Sequence, residues 1–238
     1  MMILYRIYQI LIMCPLIVVS TIITAVLTVI GSALGFGKWW GYYPEVIWSR
    51  IFCWLAFVKV TVRGRENIDK NTSYVFVANH QGAYDIFTVY GYLGHNFRWM
   101  MKSSLRKIPF VGWACAWAKQ IFVDNSTASA TRRTMAEAER LLSGGMSLVV
   151  FPEGARTWTG EMRPFKKGAY RLAVEFNLPV VPLTIDGAFH VLPRFKKLPV
   201  PGHIYLTIHK PINPDGDGHD LSKLMQESRQ VIEEGLRR

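Results

Sequence analysis

Residues 74–85, Tyr74-Val75-Phe76-Val77-Ala78-Asn79-His80-Gln81-Gly82-Ala83-Tyr84-Asp85, decide how this chain is organised. The run begins with the apolar composition of a buried strand, ends that strand on Asn79 and His80, and places Asp85 five residues after the histidine. On a regular helix, five steps of about 100° would separate the two side chains. They meet if the histidine ends a strand and the acid lies in the first turn of the following helix, with Gly82 permitting the bend.

Such a pair has a chemical use, because a carboxylate that holds an imidazole in one tautomer prepares it as a general base. The pattern therefore predicts an enzyme with His80 and Asp85 as catalytic residues. The alternative is coincidence, since the sequence contains six histidines and such a spacing also arises by chance. The other five histidines have no partner at a useful spacing and are interpreted as structural or solvated.

Composition narrows the class of protein. The 238 residues suffice for one sizeable domain with an appendage, half of them are hydrophobic, and the net charge of +11 favours an anionic partner. The three cysteines, Cys14, Cys53 and Cys115, lie in apolar stretches without metal-ligand spacing. We therefore expect reduced thiols, no disulfide framework and no metal site.

The N-terminal region predicts a membrane anchor. No charged residue occurs from Ile7 to Phe36, which exceeds the roughly 20 residues that cross a bilayer core. A second apolar run, Val46 to Val60, is short and interrupted by Arg50, so we interpret it as an interfacial or re-entrant helix. Basic residues are concentrated after the first run, which predicts that the body of the protein lies on the cytoplasmic side. One span and a dipping hairpin both remain open, and we assign residues 1–62 to this anchor.

Residues 63–238 show strand-length apolar runs alternating with helical periodicity. This alternation predicts an α/β fold, a mostly parallel sheet flanked by helices, preceded by the N-terminal hydrophobic membrane-anchoring helix or helical hairpin. The predicted strands are 74–78, 97–102, 120–124, 147–151, 180–185 and 204–209. The predicted helices are 84–93, 111–118, 127–142, capped by Asn125 or Ser126, 167–176 and 220–236.

The segment between Asp85 and Asp124 is basic and aromatic, and it contains no acidic residue. Such a composition suits single-stranded nucleic acid or an anionic lipid surface. Because the chain carries a membrane segment, we expect the lipid surface as partner and no nucleic acid.

A second motif, Val149-Val150-Phe151-Pro152-Glu153-Gly154-Ala155-Arg156-Thr157, also ends a strand on polar residues. Ligands bind at this edge of a parallel sheet, and Arg156 has the geometry to grip a phosphate bidentately. Lys166 and Lys167 precede the next helix and add a second candidate anion site. Two alternatives stay open: Glu153 forms a buried salt bridge with a local arginine, and the two lysines are a solvated helix start.

In this order, Asn79-His80-x4-Asp85, Phe151 to Arg156 and Val181-Pro182-Leu183 resemble the glycerolipid acyltransferase family, in particular the bacterial 1-acyl-sn-glycerol-3-phosphate acyltransferases. The resemblance covers roughly residues 60–210. Two positions depart from the family pattern: Ala155 replaces a threonine, and Ser104 stands where an acid is common.

The resemblance implies a function and residue roles. It implies acyl transfer from acyl-CoA or acyl carrier protein, as co-substrate, to lysophosphatidic acid, without a cofactor. His80 would be the base and Asp85 its orienting acid, on the cytoplasmic face of a bacterial inner membrane with membrane phospholipid as surroundings. The substrate-binding residues would be Glu153, Gly154, Arg156, Lys102, Lys166, Lys167 and Pro182, with Lys102 at the oxyanion.

Two kinds of alternative accompany this interpretation. Within the enzyme class, the acceptor is another lysophospholipid or glycerol 3-phosphate. In a different class, the protein is a non-catalytic, membrane-anchored binder of anionic lipid or nucleic acid. A lipase elbow Gly-x-Ser-x-Gly and a Walker-type phosphate loop are absent from the sequence, which excludes those two enzyme classes.

Overall fold

The computed structural model describes residues 2–124, 126–214 and 221–236. Within these ranges the chain folds into one seven-stranded sheet with helices on both faces. The strands are β1 (Val58–Arg63), β2 (Val75–Ala78), β3 (Phe97–Lys102), β4 (Ile121–Val123), β5 (Ser147–Val150), β6 (Val180–Asp186) and β7 (Gly202–Ile208). The helices are α1 (Met2–Tyr8), α2 (Cys14–Gly31), α3 (Gly37–Trp40), α4 (Tyr43–Leu55), α5 (Tyr84–Tyr92), α6 (Val111–Trp117), α7 (Ala128–Ser143), α8 (Gly168–Glu175), α9 (Ala188–Val191) and α10 (Leu221–Gly235).

The strand order is β1-β7-β6-β2-β5-β3-β4, and every neighbouring pair is parallel except β6 with β7. The prediction of a mostly parallel sheet flanked by helices is thus confirmed. Because β2, β3, β5 and β6 run in one direction, their carboxyl ends meet at one edge. Both sequence motifs leave the sheet at this edge.

Alternation along β2 shows how the two faces are covered. Its four residues are fully buried, with Phe76 and Ala78 in one hydrophobic cluster and Val75 and Val77 in the other. The first cluster includes side chains of α4 and α5, and the second includes side chains of α7, α8 and α10. A strand buried on both faces reads as a continuous apolar run, which is the pattern that predicted β2.

The N-terminal apolar helix is present as predicted. The helical stretch Met2–Trp40 is long and apolar enough to cross a membrane, and 11% of its most apolar window is buried inside the protein. It contains two π-helical turns, and Gly35 bends it with a φ of 93°. Helix α4 packs against α2 and α5, but its 13 residues extend only about 20 Å, which is too short to cross a bilayer.

Two local predictions were wrong. The run Val46–Val60 is not one helix, because α4 ends at Leu55 and Val58 opens β1, which pairs in parallel with β7. The chain turns at Phe57, which has a φ of 54°. Glycine is the residue usually found in this left-handed conformation, so nothing in the sequence indicated the turn. Helix α7 is capped by Thr127, whose hydroxyl accepts a hydrogen bond from the amide of Ala130, and not by Ser126.

Two predicted residues, Asn125 as a cap and Asp220 as a helix start, lie outside the described residues. The six predicted strands correspond to β2 through β7, with ends that differ by two residues or fewer. The predicted division at residue 62 falls within β1 and remains a prediction.

Replacing Gly82 by alanine tests the packing of the loop between His80 and Asp85. A Cβ at this position would lie 2.3 Å from the carbonyl oxygen of Ala188, so the loop must shift. We expect Gly82→Ala to lower the free energy of unfolding by about 1–3 kcal/mol, as overpacked sites do. Thermal unfolding of the detergent-solubilised protein measures this effect.

Gly168→Ala is the matched control, because an added Cβ there meets no atom within 4 Å. We expect this variant to unfold at or slightly above the wild-type temperature. Equal melting temperatures for Gly82→Ala and the wild type would contradict the packing described here.

Candidate active site

The end of β2 is fixed to β6 by a single side chain. Asn79 is fully buried, its amide nitrogen donates to the carbonyl of Ile185 at 2.8 Å, and its amide oxygen accepts from the Ile185 N–H at 2.8 Å. These two bonds continue the strand pairing for one more residue. The backbone of His80 therefore starts from a rigid position.

The His80 and Asp85 side chains meet, as their spacing predicts. The Nδ1 atom of His80 lies 2.8 Å from Oδ2 of Asp85, which sits fully buried in the first turn of α5. The same Oδ2 accepts hydrogen bonds from the backbone N–H groups of Gln81 and Gly82, at 2.7 and 2.8 Å. Since a carboxylate only accepts, the neutral form of this imidazole carries its proton on Nδ1 and its lone pair on Nε2.

Glu153 connects the loop after β5 to the loop after β2. Its Oε1 accepts from the His80 N–H and its Oε2 accepts from the Arg163 N–H, both at 2.7 Å. Burial raises the pKa of Glu153, and these two backbone hydrogen bonds oppose the rise. Glu153 therefore pairs with the backbone N–H of Arg163 and, within the described residues, does not form the salt bridge with an arginine side chain that the sequence left open.

An aromatic stack fixes the plane of the imidazole. The rings of His80 and Phe151 are parallel to within 6°, with centroids 3.9 Å apart. Trp99 of β3 stacks on Phe151 at 5.0 Å and 27°. The side chain of His80 is thus held by Asp85 at Nδ1 and by Phe151 on one ring face. Its backbone is held by Glu153 at the N–H and by the Thr157 N–H, which donates to the His80 carbonyl at 3.0 Å.

His80 lines a cavity of about 860 Å³ together with three other predicted residues, Lys102, Gly154 and Lys166. Gly154 has a φ of 74°, and a Cβ on it would lie 2.8 Å from Nζ of Lys166. The ammonium group therefore lies against Gly154, and the positive φ is a conformation that favours glycine at this position. Two lysines and one histidine thus face a common space, most of whose wall is apolar.

The remaining predicted residues lie outside the cavity wall. Asp85 and Glu153 are buried behind His80, where they hold it. Arg156 is half-buried on the loop that follows Glu153, and its carbonyl accepts a hydrogen bond from Arg194. Lys167 is exposed directly before α8, and Pro182 is buried within β6 opposite Val77.

Sequence reasoning missed several residues that shape the site. Phe151 and Asn79 both lie inside the quoted motifs. Their positions at the ends of predicted strands could have indicated that they shape the site. The cavity wall also includes Glu45, Tyr90 and Gln120, which lie outside both motifs. Among these, Glu45 carried a signal, because it is the only acidic residue in the first 65 positions.

Known proteins resemble this chain over most of its length. A chloroplast 1-acyl-sn-glycerol-3-phosphate acyltransferase of Brassica napus is 31% identical over 225 residues, covering 92% of this chain and 64% of the relative. A 1-acyl-sn-glycerol-3-phosphate acyltransferase of Pseudomonas aeruginosa is 30% identical, covering 79% and 75%. The chain spans between 54% and 64% of the length of its plant and algal relatives.

A solved structure and a protein family both match this chain. The crystal structure of the 1-acyl-sn-glycerophosphate (LPA) acyltransferase PlsC from Thermotoga maritima superposes with a TM-score of 0.82 at 28% identity, covering 98% of this chain and 93% of that one. The family described as Acyltransferase matches residues 59–186, which is more than half of the chain. The match includes His80, Asp85 and the Phe151–Arg156 motif. The chain therefore belongs to the acyltransferase family.

Proposed function

We propose that this protein transfers a fatty acyl group from a thioester, acyl-CoA or acyl carrier protein, to the sn-2 hydroxyl of 1-acylglycerol 3-phosphate, which yields phosphatidic acid. The observation that carries the proposal is His80: oriented by Asp85, it lines a largely apolar cavity beside Lys102 and Lys166. An apolar space suits acyl chains, and the lysines suit a phosphate and a developing oxyanion.

The chemistry follows from the state of the imidazole. Nε2 of His80 removes the proton from the glycerol hydroxyl while Asp85 stabilises the cation that forms. The resulting alkoxide attacks the thioester carbonyl, the carbon–sulfur bond breaks, and the imidazolium returns the proton to the departing thiolate. The acceptor is itself the nucleophile, so neither a covalent acyl-enzyme nor a cofactor is required. Lys102 is the candidate to stabilise the oxyanion on the carbonyl oxygen.

The acceptor phosphate is assigned to the cationic side of the site. Lys166 reaches the cavity beside Gly154, and Arg156 lies two residues after Gly154 on the same loop. Glu153 receives a positioning role, because both of its oxygens are occupied by backbone amides. Pro182 and Lys167 lie outside the cavity wall, so their proposed contribution is to support the sheet edge and the local positive charge.

The proposed location is a membrane surface with the catalytic body on the cytoplasmic side, as at a bacterial inner membrane. The long apolar helix and the basic residues that follow it support this orientation. Anionic phospholipid headgroups complement the net charge of +11.

His80→Ala tests the reaction and the catalytic class together. We expect about a thousandfold loss of acyl transfer from acyl-CoA to lysophosphatidic acid, because general base catalysis disappears. Binding to anionic vesicles should remain unchanged. His190→Ala is the matched control, since His190 is exposed on α9 and lies outside the cavity wall. Wild-type transfer by His80→Ala would refute the mechanism and favour the non-catalytic binder.

Lys166→Ala and Arg156→Ala test where the acceptor phosphate binds. We expect each variant to raise KM for lysophosphatidic acid about tenfold, because a charge-assisted hydrogen bond is lost. Steady-state kinetics across phosphorylated and unphosphorylated acceptors measure the effect. Arg171→Ala, which removes an exposed cation of α8, serves as the control. An unchanged KM in both site variants would remove these residues from the phosphate site, and another preferred acceptor in the panel would revise the substrate.

Glu153→Gln separates positioning from substrate contact. The new amide nitrogen must face either the His80 or the Arg163 N–H, which leaves a donor unpaired at a cost of about 1–3 kcal/mol. We expect a lower melting temperature and a lower kcat with little change in KM. Glu161→Gln, an exposed neighbour, should match the wild type in melting temperature. A raised KM with unchanged stability would show instead that Glu153 contacts the acceptor.

A further inference from the structure

The cavity that contains His80 also has a buried polar patch on its wall, formed by Glu45, Tyr90 and Gln120. Glu45 belongs to α4, Tyr90 to α5, and Gln120 directly precedes β4. All three side chains line the cavity, and their exposed fractions are 8%, 6% and 2%. Neighbouring parts of the wall are apolar, with Ala25, Trp48 and Ala114 among them. Polar groups in such a position need hydrogen-bond partners.

Two residues of the polar patch, Tyr90 and Gln120, are hydrogen-bonded to each other. The amide oxygen of Gln120 accepts from the Trp99 N–H at 2.6 Å, and its amide nitrogen donates to the Tyr90 hydroxyl oxygen at 2.8 Å. Tyr90 therefore receives a hydrogen bond and keeps its own proton to donate. Burial and, after it, the nearby Glu45 carboxylate raise the pKa of Tyr90, which keeps the phenol protonated.

Glu45 is the residue of the polar patch that can form a further hydrogen bond. Its Oε1 accepts a hydrogen bond from the Thr28 hydroxyl at 2.8 Å, which ties α4 to α2. Its Oε2 is buried and has no hydrogen-bond partner among the residues that the structure describes. Burial raises the pKa of Glu45 to about 7, so both protonation states are accessible near neutral pH. A hydroxyl group pairs with either state, because it donates and accepts.

The occupant of this space follows from the proposed function, on which the inference rests. The wall of the cavity near the patch is built from the N-terminal helices, through Thr21, Thr24 and Trp48, and it is continuous with the site of the thioester at His80. An acyl chain fits such a space, but a plain hydrocarbon leaves the Glu45 oxygen unpaired at a cost. We propose that the polar patch is a subsite for a hydroxyl group on the acyl chain of the thioester donor, with Glu45 as the specificity-determining residue.

The test compares palmitoyl-CoA with its monohydroxylated isomers, in which the hydroxyl occupies successive chain positions. The full-length protein in detergent transfers each chain to lysophosphatidic acid, and the ratio of kcat/KM for hydroxylated over plain donor is measured. We expect the wild-type ratio to exceed one for at least one isomer. Glu45→Met should lower that ratio about tenfold, the loss of one hydrogen bond to a charged group. Glu45→Gln should fall between the two, because the amide still forms hydrogen bonds.

Thr28→Val is the matched control. It removes the tie between α2 and α4 and leaves the Glu45 side chain in place. If Glu45 served only this tie, both variants would lower the rate for all donors alike, and the subsite would be refuted. A wild-type preference for plain chains over every hydroxylated isomer would refute it too. A rise in kcat/KM of Glu45→Met for longer plain chains alone would also refute it, because Glu45 would then limit the length of the acyl chain.

The result also separates this inference from the proposed function. If the wild type transfers palmitate to lysophosphatidic acid and His80→Ala does not, the acyltransferase proposal stands whatever the ratio shows. If the wild type uses no plain or hydroxylated chain, offered either as the CoA thioester or on acyl carrier protein, the proposed function fails first. Melting temperatures of the three variants confirm that each is folded before its ratio is compared.

Discussion

The carboxylate of Glu153 is the constraint on which the geometry of the site depends. Glu153 lies in the loop that follows β5. Its carboxylate accepts hydrogen bonds from the N–H of His80, in the loop after β2, and from the N–H of Arg163, ten residues further along the chain. Together with the Thr157 N–H, which donates to the His80 carbonyl at 3.0 Å, Glu153 ties the His80 backbone to the loop after β5, while Asn79 ties it to β6. The parallel register of β2 with β5, which pairs Val77 with Val150, places the two loops close enough for one side chain to join them.

This constraint acts together with two contacts of the imidazole ring to fix the orientation of His80. Asp85 orients Nδ1, Phe151 covers one face of the ring, and Glu153 fixes the backbone, so Nε2 is the part of the imidazole that remains for chemistry. In the proposed reaction, a base fixed in this way has little orientational freedom to lose when the acceptor binds, and orientation is a large part of a bimolecular barrier. Because Asp85 and Glu153 are buried, their oxygens would not compete for the hydroxyl of the proposed acceptor.

The sequence predicted the features that are local and could not predict those that assemble across the fold. Strand β2, the start of helix α5 and the contact of His80 with Asp85 follow from twelve consecutive residues. Strand β1 was missed because the turn before it is made by Phe57 in a left-handed conformation, where a glycine would have signalled a break. The role of Glu153 was ambiguous, since its partner is a backbone amide and no residue type identifies such a partner. Glu45, Tyr90 and Gln120 come together only through tertiary packing, although Glu45 stood out as a lone acid.

The N-terminal helices have a second role that composition did not indicate. Helices α2 and α4 supply Thr21, Ala25 and Trp48 to the wall of the cavity that contains His80, and Trp48 donates to Thr21 at 2.9 Å to join the two helices. The segment that would hold the protein at a lipid surface thus also encloses the space assigned to the acyl chain. Under the proposed function, an acyl chain held in this space lies against a wall that is part of the proposed anchor itself, so its passage between the site and a bilayer requires little exposure to water. Because α4 also packs on α5, which has Asp85 in its first turn, the proposed anchor and the proposed catalytic pair share one packed unit.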